Sequence, residues 1–207
     1  MYDIPYFKAA HPEDVLVYMK AHPFALICGS DESSMPVATQ VPFLFEKRGD
    51  RLFLQGHVMK KQDHTDAFYK NPNVLVVFSG AHTYVSASWY QQQQTASTWN
   101  YQSVQAAGTL RFQDSAFLLQ LLTRLTETFE KADSPSLVQK MDPSYVEKMM
   151  QAIVAFEVEI TSVRHIFKLS QNRDKQSRAN IISELNEKGG DALEIAKAID
   201  AHNKNKP

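Results

Sequence analysis

The run Val74-Leu-Val-Val-Phe78 constrains this 207-residue chain more than any other stretch, because it is apolar throughout and rich in β-branched valine. Such a run reads as a strand buried on both faces, so it belongs in the centre of a sheet and obliges the chain to supply strands beside it. His82 to Ser86 is the expected neighbour. Ile153 to Val163 alternates Phe156, Val158 and Ile160 with Glu157, Glu159 and Thr161, the period of a half-exposed antiparallel strand. Trp99 to Gly108, continued by Thr109 to Phe112, makes a further long strand, with Gly108 expected at a bulge.

Three more strands precede these. Phe24 to Cys28 is closed by the polar turn Gly29 to Ser34, and Arg51 to His57 follows the turn Lys47 to Asp50. Between them Val37 to Glu46 reads as one strand interrupted by Pro42, which cannot donate to a ladder and marks an edge, a bulge or a bend. Helices are expected over Pro12 to Ala21, over Lys61 to Lys70 with Asn71-Pro72 as its stop, and from Asp142-Pro143. The clearest runs from Ser115 to Lys131, where Leu118, Leu121, Leu122, Leu125 and Phe129 form an apolar face that should lie across the barrel. Two helices divided by Gly189-Gly190 close the chain. The fold class is mainly β with peripheral helices, six or seven strands most simply closed into an antiparallel barrel. Residues 1–170 are expected to form the barrel domain and 171–207 a helical appendage.

Composition narrows the function classes. Apolar residues at 43% and charged residues at 22% describe a globular chain. With 22 Lys and Arg against 23 Asp and Glu, the net charge of -1 supplies no global attraction to nucleic acid or to an anionic membrane. No apolar run approaches the roughly 20 residues that span a bilayer. Cys28 is alone and Met1-Tyr-Asp-Ile-Pro5 lacks a signal-peptide pattern, so a reducing cytoplasm is the expected location. Dispersed histidines give no metal site, and no Gly-x-Ser-x-Gly elbow is present. Redox chemistry would therefore belong to a bound cofactor.

Three constellations are candidates for binding. Gly56-His57 followed by Lys60 and Lys61 puts cations where a strand yields to a helix, a place for a phosphate or simply a solvated basic turn. Trp89, Tyr90, Trp99 and Tyr101 flank a loop holding Gln91 to Gln94. They either wall a slot for a heteroaromatic ligand, with Asn100 at its polar edge, or belong to the core. Arg164, Lys168, Arg173, Lys175 and Arg178, with Gln171-Asn172 among them, suit a phosphate, a nucleotide, nucleic acid or plain solvent. The helix that follows at Asp191 to His202 is not basic, so no DNA-reading helix is legible.

Several of these blocks coincide with a known pattern. Thr39-Gln-Val-Pro-Phe43, Gly56-His57, Asn71-Pro72, Tyr84-Val-Ser-Ala-Ser-Trp-Tyr90, Thr98-Trp-Asn-Tyr101 and Lys168-Leu-Ser-Gln-Asn-Arg173 resemble, in order and spacing, the PaiB-type family of FMN-binding split-barrel proteins. The resemblance covers most of the chain up to about Ala179. It implies a six-stranded split barrel that forms a homodimer with FMN in the subunit interface. It also implies one of two activities: a flavin reductase-like oxidoreductase using a nicotinamide donor, or an FMN-responsive negative transcriptional regulator bound to DNA. Haem is another ligand that such barrels host.

Carried over by position, Thr39, Gln40 and Val41 would offer backbone to the isoalloxazine, Gly56 and His57 would line the slot, and Lys60 or Lys61 would hold the phosphate. Ser88, Trp89, Trp99, Asn100, Lys168, Gln171 and Arg173 complete the expected cofactor-binding set. Three positions depart from the family pattern: Gln40 stands where histidine is common, and Ala87 and Ser97 stand where proline is common.

Overall fold

The computed structural model describes residues 1–92 and 94–204, so Gln93 of the glutamine tract lies outside the described residues. The chain divides into two compact units, one of residues 1–22, 78–105 and 164–207, the other of residues 23–77 and 106–163. Seven strands form one sheet: β1 (Phe24–Ser30), β2 (Pro36–Pro42), β3 (Leu44–Arg48), β4 (Arg51–Met59), β5 (Asn73–Val85), β6 (Thr98–Phe112) and β7 (Ile153–Lys168). Their order is β2-β1-β5-β6-β7-β4-β3. Around the sheet run α1 (Pro12–Ala21), α2 (Asp63–Lys70), α3 (Ser115–Phe129), α4 (Pro143–Met150), α5 (Lys175–Lys188) and α6 (Asp191–Lys204). Among the described residues, no helix is long and apolar enough to cross a membrane.

The strand order carries a geometric demand. β2 and β3 are the two edges of the sheet, yet only Phe43 separates them in sequence. In a flat seven-stranded sheet those edges would stand about 28 Å apart, whereas the two chain steps through one residue reach at most about 7 Å. The sheet of the second unit therefore curls until β2 lies beside β4. Phe43 fixes the joint: its N–H donates to the Pro23 carbonyl at 2.9 Å, and its ring, 1% exposed, meets Phe156 edge-on at 6.0 Å. This is why the sheet has seven strands rather than the six of the expected barrel. Val37 to Glu46 is two strands on opposite edges, broken at Phe43, not one strand bent at Pro42.

β5 occupies the interior position expected of Val74 to Phe78, between β1 and β6. Val74, Val76 and Phe78 are buried, while Leu75 and Val77 are half-buried. His82 does not begin a neighbouring strand, because β5 runs unbroken from Asn73 to Val85. Gly80 permits that run: a Cβ there would lie 2.3 Å from Nε2 of His22, the residue that caps the end of α1. β7 likewise extends past Val163 to Lys168.

α3 starts where Asp114 accepts a hydrogen bond from the Phe117 N–H at 2.8 Å, an N-cap. Its Leu118, Leu121 and Leu125 pack on Leu44 of β3 and Ala155 of β7. Phe129, expected on that face, is 59% exposed and marks where the helix leaves the sheet. A polar knot around the buried Gln55 amide adds register. The Gln55 amide donates to Glu157 at 2.8 Å and to Glu46 at 2.5 Å, and accepts from Arg124 of α3 at 2.6 Å.

Gly108 lies within continuous β6, where a Cβ would sit 2.4 Å from the Glu159 carbonyl oxygen and 2.8 Å from a Val158 methyl. A side chain there must push β7 away from β6. Gly108→Ala is expected to cost about 1–3 kcal/mol, the usual range for overpacking, read as a lower urea midpoint with an unchanged m-value.

Candidate functional site

In the second unit, curling brings two strand edges together without zipping them. β2 pairs with β1 from Ser30↔Pro36 to Phe24↔Pro42, and among the described residues it has no ladder on its other side. β4 pairs with β3 only as far as Leu44↔Gln55, while its ladder with β7 continues to Met59↔Ile153. Gly56 to Met59 thus keep one free edge. The two free edges face each other: a Cβ on Gly56 would lie 3.4 Å from the Pro42 carbonyl oxygen and 3.0 Å from the Phe156 ring. One lip of this split carries Thr39, Gln40 and Val41, the other Gly56 and His57, with Lys60 and Lys61 just beyond. Backbone donors and acceptors unspent on a sheet are what a flat ligand with a polar edge needs.

His57 Nδ1 is sealed from solvent and has no hydrogen-bond partner among the described residues. Burial also pulls the imidazole below its ordinary pKa of 6.5, so the ring stays neutral near pH 7. A neutral imidazole with an unspent nitrogen fits an uncharged heteroaromatic ring better than an anion. The cations lie further along. Lys60 donates its backbone N–H to Ala152 at 2.9 Å, and both lysine side chains are exposed. Lys60 also borders a separate cleft of about 670 Å³ lined by Leu119, Val138, Met141, Val146 and Met150. Thr65 anchors the start of α2 by donating to the Met59 carbonyl at 2.7 Å.

The remaining expected residues fall in the first unit and form their own groupings. Asn100, Lys168 and Arg173 line one cleft of about 220 Å³ together with Thr98, Ser170 and Phe7. Gln171 folds back on its own turn instead, donating to the Phe167 carbonyl and accepting from the Leu169 N–H at 2.8 Å. Ser88 bonds Ser86 at 2.8 Å, and the carbonyl of half-buried Trp89 accepts from Asn180 of α5 at 3.0 Å. The four aromatic residues do not share one slot. Tyr90 is 3% exposed beneath the Arg173 guanidinium at 4.0 Å, whereas Trp99 is 51% exposed beside His82 and Tyr84.

Sequence reasoning missed a pairing between two of the departures. The Ala87 N–H donates to Ser97 Oγ at 2.9 Å. A proline at 87 has no N–H to satisfy, so the hydroxyl at 97 supplies what alanine at 87 requires. The signal was there in the two non-prolines occurring together.

Solved structures place this fold among the flavin-binding split barrels. Flavocytochrome Anf3 from Azotobacter vinelandii matches 86% of this chain and 78% of its own, with a TM-score of 0.58 and 16% identity. The FAD and heme binding protein from Mycobacterium smegmatis matches 77% and 72%, with a TM-score of 0.56 and 18% identity. The chain belongs to the family described as "Putative FMN-binding domain", which matches residues 1–162. It is 32% identical over 202 residues, 97% of either chain, to the protease synthase and sporulation protein PAI 2 of Bacillus subtilis. An uncharacterised protein of Emericella nidulans is 28% identical over 67% of this chain and 68% of its own. This is an FMN-binding protein of the PaiB type.

The neutral state of His57 has a pH signature. As pH falls below about 6.5 the unfolded chain takes up a proton before the folded one does. The stability contributed by the neutral ring is therefore intact above that value and is lost as pH falls from it through the depressed folded pKa. His165, which accepts from the Ala9 N–H at 3.0 Å, is lowered chiefly by burial in the same sense. His57→Gln should remove up to about 1.4 kcal/mol per pH unit of slope in that window. Urea denaturation of both proteins across the window measures the difference.

Proposed function

We propose that the protein is a cytoplasmic homodimer that binds FMN along the split between β2 and β4 and uses it for redox chemistry with a nicotinamide donor. The observation that carries this reading is the unzipped pair of strand edges, with the unpartnered Nδ1 of His57 at its lip. The open backbone of Thr39 to Val41 offers alternating N–H and C=O groups to the polar rim of the ring. Gly56 lets a flat ligand approach β4, because it has no side chain to fill the space. Lys60 and Lys61 hold the phosphate beyond the end of β4 through charge-assisted hydrogen bonds. When bound, the flavin supplies the two-electron chemistry that no side chain of this chain offers.

A dimer is supported by the exposed rings of Tyr84 and Trp99 in the first unit, which pack edge to face at 6.1 Å. Aromatic groups held rigidly at the surface are typical of interface anchors. The basic stretch gives DNA recognition less support. Lys168 and Arg173 line a cleft, and Arg178 donates to Asn203 of α6 at 2.7 Å, so the cations do not present one face to a phosphate backbone.

Lys60→Ala combined with Lys61→Ala should weaken FMN roughly 10–100-fold and leave riboflavin, which lacks the phosphate, nearly unchanged, measured by flavin fluorescence titration. Loss of affinity for both flavins alike, or for neither, would take the lysines out of the site. Anaerobic addition of NADH or NADPH to the flavin-loaded protein should bleach the flavin band. A flavin that stays oxidised while the protein selects its own upstream DNA over random DNA would make it a regulator.

A further inference from the structure

The cleft lined by Asn100, Lys168 and Arg173 holds charge that nothing in the first unit balances. Among the described residues neither Lys168 nor Arg173 makes an ion pair. The nearest acid in sequence, Asp174, is spent capping α5, accepting from the Ser177 N–H at 2.8 Å and the Ser177 hydroxyl at 2.6 Å. Lys168 donates to Thr98 Oγ1 and lies 5.8 Å from the centre of the Phe7 ring. Burial and the Arg173 charge both push its pKa down, the condition of a cation taken partly out of water beside another cation. The Arg173 guanidinium lies over the Tyr90 ring at 4.0 Å, and its N–H groups are unspent among the described residues.

A third group points the same way. Asn100 is fully buried, donates Nδ2 to Ser170 Oγ at 2.8 Å and leaves Oδ1 without a partner among the described residues. Such an orphan costs about 1–3 kcal/mol if nothing answers it. Rotating the amide by half a turn lets the Ser170 hydroxyl donate to Oδ1 and frees Nδ2 as a donor for the cleft. Ser170 itself is held at φ 59°, a left-handed conformation that a serine adopts only when its surroundings impose it. Two cations and one amide donor then converge on a space of about 220 Å³.

We propose that this cleft of the first unit is an anion site that takes a phosphate group other than the flavin's own, free or on a small monoester. A volume below the roughly 300–1,000 Å³ of ordinary ligand pockets excludes a whole flavin nucleotide and suits a phosphate on a short carbon stub. Phosphate binding there lifts the mutual repulsion of Lys168 and Arg173 and satisfies Asn100 in one step.

Calorimetric titration of the FMN-saturated protein with inorganic phosphate and with glycerol phosphate tests this. Both should bind while FMN is present, and tighter binding of glycerol phosphate would identify a monoester site. Lys168→Met and Arg173→Gln should each weaken binding roughly tenfold or more. Asn100→Asp places a carboxylate where the anion would sit, so it should abolish binding and raise the thermal midpoint. Absence of binding by the wild type, unchanged affinity in both charge variants, or binding that disappears once FMN is present would overturn the proposal. The last outcome would assign the cleft to the flavin.

Discussion

Everything at the split depends on a single-residue joint. Phe43 alone connects the two edges of a seven-stranded sheet, and that connection cannot be made unless the sheet curls. Curling normally ends in closure, with the last strands zipped by a ladder that removes both edges. Here it stops short. β2 reaches β4 near Gly56, and a row of backbone groups on each side remains unpaired among the described residues. A split edge is a liability for aggregation and an asset for a ligand, and a flat cofactor that covers it resolves both at once.

That constraint also orders the energetics of the second unit. Phe43 and Phe156 are fully buried and meet edge to face, so the rings that hold the joint are part of the floor beneath the split. The knot of Gln55, Glu46, Glu157 and Arg124 then fixes β3, β4 and β7 against α3. Removing a partner of the buried Gln55 amide costs more than forming the bond gains, because the amide is left unpaired. The register of β4 is therefore well determined where it matters, two residues before His57.

Much of this was legible in the sequence, and the failures have physical causes. Val74 to Phe78 announced an interior strand because its burial is written in its composition. Leu118, Leu121 and Leu125 announced the packed face of α3 through their spacing, while Phe129, in phase with them, lies beyond the surface they cover. The break at Phe43 could not be read, because Pro42 signals a bend without saying that the next strand lies on the opposite edge. Gly108 read as a bulge, yet it sits inside continuous β6 at a close approach made by β7, and Gly80, which drew no reading from the sequence, does the same in β5 against His22. The two lysines and Gly56-His57 stood out from local pattern alone as a candidate phosphate place. The free edge beside them was not, since only the ends of the β3–β4 and β1–β2 ladders reveal it.

The central claim is that the unpaired backbone of β2 holds the flavin, and amide hydrogen exchange of Thr39, Gln40 and Val41 with and without FMN addresses it most directly. If it does, the amides of this segment not engaged with β1 exchange readily in the flavin-free protein and become protected when FMN is added, with smaller changes along the β1–β5 ladder. FMN binding that leaves exchange in Thr39 to Val41 unaltered, while protecting amides elsewhere, would contradict it.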